Sequence, residues 1–290
     1  FAEAFCNLGN SQKDRGDLAP AIESFKRAID LKPNFPEALL SMGLTLHQHG
    51  NKDEAVQYLK RVVTLKPKSD LSLEHILAAI TGQQTTSPPK EYVEKLFDGY
   101  AAKFDNSLVK KLKYNVPKLM SNLLLEYQTD ASLGSVLDLG CGTGLAGVEL
   151  RQSCQTINGI DLSQKMLAEA RRKNVYDKLN YTGIVEYLSE APLDFDLFLS
   201  LDVFIYVGEL SKVFQLIKSR NKRKGRLAFS TEHTEKKGFF LEETGRYSHS
   251  KSYIENLCKK FNYNLLHFSK IELRKEKDRF LSGGLYLLEF

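Results

Sequence analysis

Two hydrophobic rhythms divide the chain. Through the first 70 residues, small and apolar positions follow helical spacing and then return. Gly9, Gly16, Ala21 and Pro33 recur as Gly43, Gly50, Ala55 and Pro67, each displaced by 34 residues. Phe5, Leu8 and Phe25 match Leu39, Met42 and Leu59 in the same register and are expected to fill a shared helical core. Gly16 and Gly50 should end the first helix of each pair, with Asp17 and Asn51 next as candidate N-caps. The phase continues through Ser69–Thr81, with Leu73, Ile76 and Ile80 apolar, but Leu77 stands where a glycine is expected. That segment reads as a closing helix. The polar stretch Gln83–Lys90, with its Pro-Pro stop, then breaks the rhythm. Glu91–Tyr127 reads as two helices, interrupted near Asp105-Asn106 and again at Pro117. From Ser135 onward, short apolar runs alternate with helical patterns. Strands are predicted at Ser135–Leu139, Thr156–Ile160, Asn180–Gly183, Phe195–Leu199, Arg226–Ser230, Tyr263–Lys270 and Gly284–Phe290. Helices are predicted from Ser163, around Leu210–Lys218 and over Ser250–Phe261. Such alternation predicts a largely parallel α/β sheet with helices on both faces.

A 34-residue period with small residues at fixed places is the tetratricopeptide pattern. Repeats of this kind stack on neighbours. The chain opens in mid-pattern at Phe1-Ala2-Glu3-Ala4, so further repeats are expected upstream. The expected organisation is repeats plus a capping helix over 1–82, a linker over 83–90 and an α/β domain over 91–290, of which 91–130 is a helical cover. By repeat phase the groove presents Glu3, Cys6, Asn10, Lys13, Glu37, Leu40, Leu44 and His47. A single lysine disfavours a clamp for a terminal carboxylate, which leaves an internal segment of a protein or peptide partner, or an intramolecular lid.

Composition narrows the class. Hydrophobic residues make up 42%, enough for a full core, and no run approaches the ~20 apolar residues of a membrane span. No secretory leader is visible, and a start at Phe1 rather than Met reads as a fragment or a processed form. Cys6, Cys141, Cys154 and Cys258 are scattered without a CxxC pair, which argues against a zinc site or a disulfide framework and for a reducing, cytoplasmic setting. No metal is expected. The net charge of +5 falls wholly after residue 84, too mild an excess for a dedicated nucleic-acid binder. The basic runs at 171–173, 222–226 and 274–277 are read as solvated faces, the first two near helix C-termini.

The chemistry gathers at VLDLGCGTG, Val136–Gly144. A buried strand carrying Asp138 runs into a turn built on Gly140, Gly142 and Gly144, and then into a helix. Cys141 reads as a small spacer in that turn. A second acid, Asp161, ends the next strand 21 residues after Gly140, where a carboxylate can accept hydrogen bonds from ribose hydroxyls. G-C-G-T-G is not the G-x-G-x-x-G of dinucleotide sites, and no Lys-Ser or Lys-Thr follows as in a P-loop. In an open α/β sheet, ligand residues come from loops beyond the carboxyl ends of the strands. Those loops supply Leu162, Ser163 and Met166 after the second strand and Asp202 after the fourth. Ser163 reads as a helix cap, Met166 as a cofactor contact or core filler, and Asp202 as a ligand contact or a cap of the next helix.

LDLGCGTG resembles motif I of class I S-adenosylmethionine-dependent methyltransferases, in one of its more specific forms. LFDGYAAKFDNSLVKKLKYNVPKLM (96–120), FDLFLSLDVFIYVG (195–208) and GRYSHS (245–250) look like a bacterial group of predicted methyltransferases carrying tetratricopeptide repeats. The likeness extends over essentially the whole chain. It implies a seven-stranded, mostly parallel Rossmann-like sheet after the solenoid, with S-adenosylmethionine as cofactor and S-adenosylhomocysteine as product. It also implies that Tyr100 and Phe104 close over the methionine end, that Met166 lies above the adenine, and that Asp202 contacts the ammonium. One departure stands out. The third strand is followed by Thr182-Gly183-Ile184, with no acid for the adenine amino group until Glu186, so the backbone of Gly183 and Ile184 is expected to serve.

Methyl transfer from a sulfonium chiefly needs alignment and exclusion of water, so dedicated catalytic residues are not required. No DPPY or NPPY follows the fourth strand and no Pro-Cys nucleophile occurs, which disfavours DNA-base acceptors. Candidate proton acceptors are Glu232, His233 and His249. Tyr206 is a candidate pocket residue, and Arg246-Tyr247 a candidate substrate anchor. The expected activity is methyl transfer with the repeats recruiting a protein substrate or partner. The alternatives are a small-molecule acceptor with the repeats used for assembly, and a cofactor-binding scaffold without turnover.

Overall fold

The computed structural model describes residues 1–65, 71–128, 131–276 and 279–290. It separates into two compact units, one of residues 1–85 with 241–245 and the other of residues 86–240 with 246–290.

The first unit is helical: α1 (Ala2–Arg15), α2 (Leu18–Leu31), α3 (Pro36–His49), α4 (Lys52–Leu65) and α5 (Leu71–Thr81). Gly16 (φ 90°) and Gly50 (φ 100°) end α1 and α3 in the left-handed conformation that only glycine adopts freely. Equivalent glycines set the helix pairing. A Cβ on Gly9 would lie 2.6 Å from the Phe25 ring, and one on Gly43 would lie 2.7 Å from Leu59. Ala21, Phe25, Leu39, Met42 and Leu59 are buried in one cluster. Leu8, expected in that core, is 45% exposed. Ala2, Cys6 and Gly9 carry the buried stripe of α1, and Leu8 is turned off it by the 100° step of the helix. Asp17 occupies the N-cap of α2, but its side chain caps nothing; it pairs instead with Arg15 at 3.5 Å. Pro67 of the repeat pattern, and the start of the predicted closing helix at Ser69 and Asp70, lie outside the described residues.

The second unit begins with α6 (Lys90–Tyr100), a 3-10 turn (Ala101–Lys103), a π-helical turn (Asn106–Lys111) and α7 (Val116–Glu126). Pro117, expected to interrupt a helix, instead starts α7, because its missing N–H is no loss in the first turn. The strands are β1 (Ser135–Leu139), β2 (Thr156–Asp161), β3 (Lys178–Tyr181), β4 (Leu197–Ser200), β5 (Arg226–His233), β6 (Phe239–Leu241), β7 (Tyr247–His249), β8 (Asn264–Glu276) and β9 (Arg279–Glu289). The helices between them are α8 (Leu145–Leu150), α9 (Gln164–Lys173), α10 (Ile184–Glu190), α11 (Ser211–Arg220) and α12 (Lys251–Phe261).

β3, β2, β1, β4 and β5 lie side by side and parallel. β9 pairs antiparallel with β5, and β8 antiparallel with β9, which completes a seven-stranded main sheet. Short β7 adds parallel to the end of β5, matching Glu232 with Ser248. Neither β6 nor β7 shows in the periodicity, because three residues are too few to alternate. Adjacent residues of β1 feed opposite faces. Leu137 and Leu139 join Phe198, Phe214 and Phe229 under α11 and α12, while Val136 joins Met120, Leu124 and Leu150 under α7 and α8. Strand order reverses between β1 and β4, and the carboxyl ends of β1, β2 and β4 therefore open into one crevice.

Candidate functional site

The glycine turn is held from the neighbouring strand. The N–H groups of Gly140 and Cys141 both donate to the Ile160 carbonyl at 2.9 Å. Gly140 has φ 81°, and a Cβ there would lie 2.6 Å from Val203, so this position takes glycine for conformation and for room. Asp161 ties the turn to the next helix: its Oδ2 accepts the Gly142 N–H at 2.9 Å and its Oδ1 the Ser163 N–H at 2.8 Å. Ser163 caps α9, accepting the Met166 N–H at 3.1 Å and donating to Asp98 on α6 at 2.5 Å. Burial pushes the Asp161 carboxyl up to about 6, against the pull of the backbone N–H groups around it.

Asp138 is 1% exposed. Its Oδ2 accepts the hydroxyl proton of Tyr176 at 2.6 Å. Burial, reinforced by the charge of Asp161, pushes the Asp138 carboxyl up to about 7. Among the described residues no lysine or arginine is paired with it. Two buried, cation-free carboxylates at adjacent strand ends form an electron-rich rim suited to a ligand bearing hydroxyl and ammonium donors.

Both carboxylates face a cavity of about 350 Å³. Tyr100, Gly140, Cys141, Gly142, Leu162, Met166, Ile184 and Asp202 also line it. Gly144 and Gly183 are absent from the wall. Gly144 (φ 89°) caps the start of α8, and Gly183 caps α10. The Glu186 carboxylate folds back toward Gly183 and pairs with Lys90 at 2.8 Å, so it does not reach the cavity.

The opposite wall is aromatic. Phe97 meets Tyr206 edge-on at 5.0 Å and Phe104 at 6.2 Å, and Tyr100 meets Phe104 at 5.6 Å. Of the four candidate acceptor-side residues, only Tyr206 lines the cavity. Glu232 sits behind it, accepting from Arg246 Nε and Arg274 Nη2, each at 2.5 Å. His233 pairs with Glu235 at 3.3 Å and packs on Phe268. His249 has Nε2 2.6 Å from the Gly208 carbonyl, and its burial among Phe239 and Tyr253 holds it down at about 4. Neither histidine reaches the cavity.

Two readings are corrected here. Arg274, expected in a solvated basic run, is 6% exposed and ion-paired; Lys277 of that run lies outside the described residues. Asp202 caps no helix: its carboxylate is taken by Arg274, because a buried acid must find a partner. Asp98, Asp105, Tyr176 and Arg274 escaped sequence reasoning altogether. Asp105 accepts from Thr143 at 2.5 Å and from Lys173 at 2.6 Å, fastening the cover segment to the glycine turn. The one sequence signal was the pair of acids, Asp98 and Asp105, in an otherwise apolar cover.

Fold and glycine turn together define a class I methyltransferase architecture, whose cofactor is S-adenosylmethionine. Residues 130–282 match the methyltransferase domain family, and the chain belongs to it. Residues 9–50 and 36–69 match tetratricopeptide repeat families. Among curated proteins, the chain is 30% identical over 145 residues to the biotin biosynthesis bifunctional protein BioHC of Saccharophagus degradans, a match covering 49% of this chain and 25% of that one. It is 25% identical over 169 residues to a ubiquinone biosynthesis O-methyltransferase of Coxiella burnetii, covering 57% and 69% respectively. The chain thus spans about a quarter of the length of the first relative. Among solved structures, the magnesium protoporphyrin IX methyltransferase of Synechocystis, with S-adenosylhomocysteine bound, shares the fold. Its TM-score is 0.54 at 17% identity, over 69% of this chain and 98% of that one. Among the described residues, no helix is long and apolar enough to cross a membrane and no group of His, Cys, Asp or Glu is gathered for a metal.

Proposed function

We propose that this chain binds S-adenosylmethionine in the crevice over β1, β2 and β4 and methylates an oxygen of a small, largely apolar acceptor. The observation that carries the reading is a single cavity with two buried carboxylates at one end and an aromatic wall at the other. Asp161 suits the ribose hydroxyls, Leu162, Met166 and Ile184 the adenine faces, and Asp138 the ammonium, with Tyr100 over the amino-acid end. The backbone at Ile184 takes the role that an acid plays elsewhere in the family. When bound, the cofactor supplies a methyl group on a positively charged sulfur, a leaving group needing no further activation.

The chain's own residues set what the acceptor can be. Phe97, Phe104 and Tyr206 exclude water and offer flat apolar surface. No histidine or lysine lines the cavity, and burial holds the Tyr206 hydroxyl far above its ordinary range. Both lining guanidinium groups, Arg246 and Arg274, are already engaged by carboxylates. A phenol or enol, acidic enough to lose its own proton, fits this wall better than an aliphatic alcohol or a carboxylate. Oxygen as the accepting atom is supported by the curated O-methyltransferase relative.

A second reading, a protein acceptor or partner recruited by the repeats, is favoured by the tetratricopeptide matches over 9–69. Four free thiols suit a cytoplasmic setting. Calorimetric titration with S-adenosylhomocysteine tests the core of the proposal, and a product assay with simple phenols against host proteins separates the two acceptors. Absence of heat with the intact chain would sink the cofactor assignment. Binding without product from either acceptor set would favour a scaffold.

A further inference from the structure

Tyr176 belongs to the turn between α9 and β3, away from the glycine loop, and it does not line the cavity. Its ring fills a slot beside α8 that two glycines keep open. A Cβ on Gly147 would lie 2.6 Å from the ring, and one on Gly144 3.0 Å from it. The hydroxyl oxygen accepts the Gly147 N–H at 3.2 Å, and its proton goes to Asp138 Oδ2 at 2.6 Å. The N–H occupies one side of the oxygen, so the hydroxyl serves as a donor toward the carboxylate. A donor to a carboxylate favours the ionised form.

We propose that Tyr176 is a positioning residue: it holds Asp138 charged and aimed into the cavity, so that the site discriminates for the cofactor's ammonium group. This rests on the cofactor reading above. The adenosine half of the ligand falls to Asp161 and the glycine turn, to which Tyr176 makes no hydrogen bond among the described residues. Tyr176 should therefore govern one end of the ligand and not the other. Gly144 and Gly147 then have a purpose beyond the turn, since each makes room for this ring.

The test is calorimetry at pH 7.5 with two probes, S-adenosylhomocysteine and 5′-methylthioadenosine, the second having the same adenosine end but no amino acid. In Tyr176→Phe we expect S-adenosylhomocysteine to bind at least tenfold more weakly and 5′-methylthioadenosine to stay within twofold. Gly147→Ala, which pushes a methyl group into the ring, should give the same selective loss from the opposite side of the contact. Equal weakening of both probes would make Tyr176 a mere prop of the loop and overturn the proposal. So would unchanged affinity for both. If the unaltered chain bound neither probe, the cofactor reading would fail and this inference with it, a result distinct from a wild type that binds both.

Discussion

Arg274 grips Asp202 through Nη1, 2.7 Å from one carboxylate oxygen and 2.6 Å from the other, across 72 residues of sequence. Its Nη2 reaches Glu232 at 2.5 Å. Asp202 has φ 60°, an uncommon backbone state for a residue with a side chain, and the ion pair is what holds it there. A strand from the C-terminal hairpin thus sets the shape of the loop after β4, which forms one lip of the cavity.

Removing that arginine should be costly. Arg274→Ala leaves Asp202 and Glu232 with one fewer cation in a buried cluster, and the expected loss is ~3–5 kcal/mol of unfolding free energy, read from urea denaturation. A loss below ~1 kcal/mol would show that solvent reaches the cluster and screens it.

Asp161 carries both the ligand role and the geometry of the loop. Asp161→Ala should lower affinity for S-adenosylhomocysteine by at least a hundredfold in calorimetry, because the variant also frees the Gly142 N–H from its anchor. Affinity within tenfold of the parent chain would remove Asp161 from the site.

The buried Asp138 makes an unusual pH prediction. Its carboxyl lies at about 7 in the folded chain, raised from 3.8, so the ionised form opposes folding. Stability from this group is present below 3.8 and is lost as pH rises through about 7. The titratable groups around it are Asp161, Tyr176, Cys141 and Tyr114. Asp138→Asn should therefore stabilise the ligand-free chain at pH 8 by ~2–4 kcal/mol, and by much less at pH 5, in thermal melts. The same variant should lose cofactor affinity, since its charge partner for the ammonium is gone. In the parent chain, affinity for S-adenosylhomocysteine should fall as pH drops below about 7 and Asp138 takes up its proton.

The repeat unit offers a packing test. A methyl group at Gly43 would sit 2.7 Å from Leu59, so Gly43→Ala should cost ~1–3 kcal/mol in a melt followed by circular dichroism. Gly43 lines no part of the cavity, and affinity for S-adenosylhomocysteine should stay within twofold.

The chain's local patterns carried much of this. A 34-residue period placed four helices and their two paired glycines, because each repeat is built from contacts close in sequence. VLDLGCGTG and Asp161 marked where β1 and β2 end, because tight turns and strand-end acids are written in consecutive residues. Pro117 misled because proline ends a helix interior yet suits a first turn, and only the preceding fold of the chain decides which applies.

Tertiary structure alone decided the rest. Arg274 read as a solvated cation until the sheet brought Asp202 and Glu232 against it. Tyr176 looked like any loop aromatic until α8 presented two glycines and β1 a carboxylate. His233 and His249 looked as reactive as Tyr206, but only Tyr206 faces the cavity. The physical reason is common to all of these. Periods, caps and turns depend on neighbours along the chain, whereas the state of a charge or a ring depends on what is buried beside it, and that partner is supplied from a distant strand or helix.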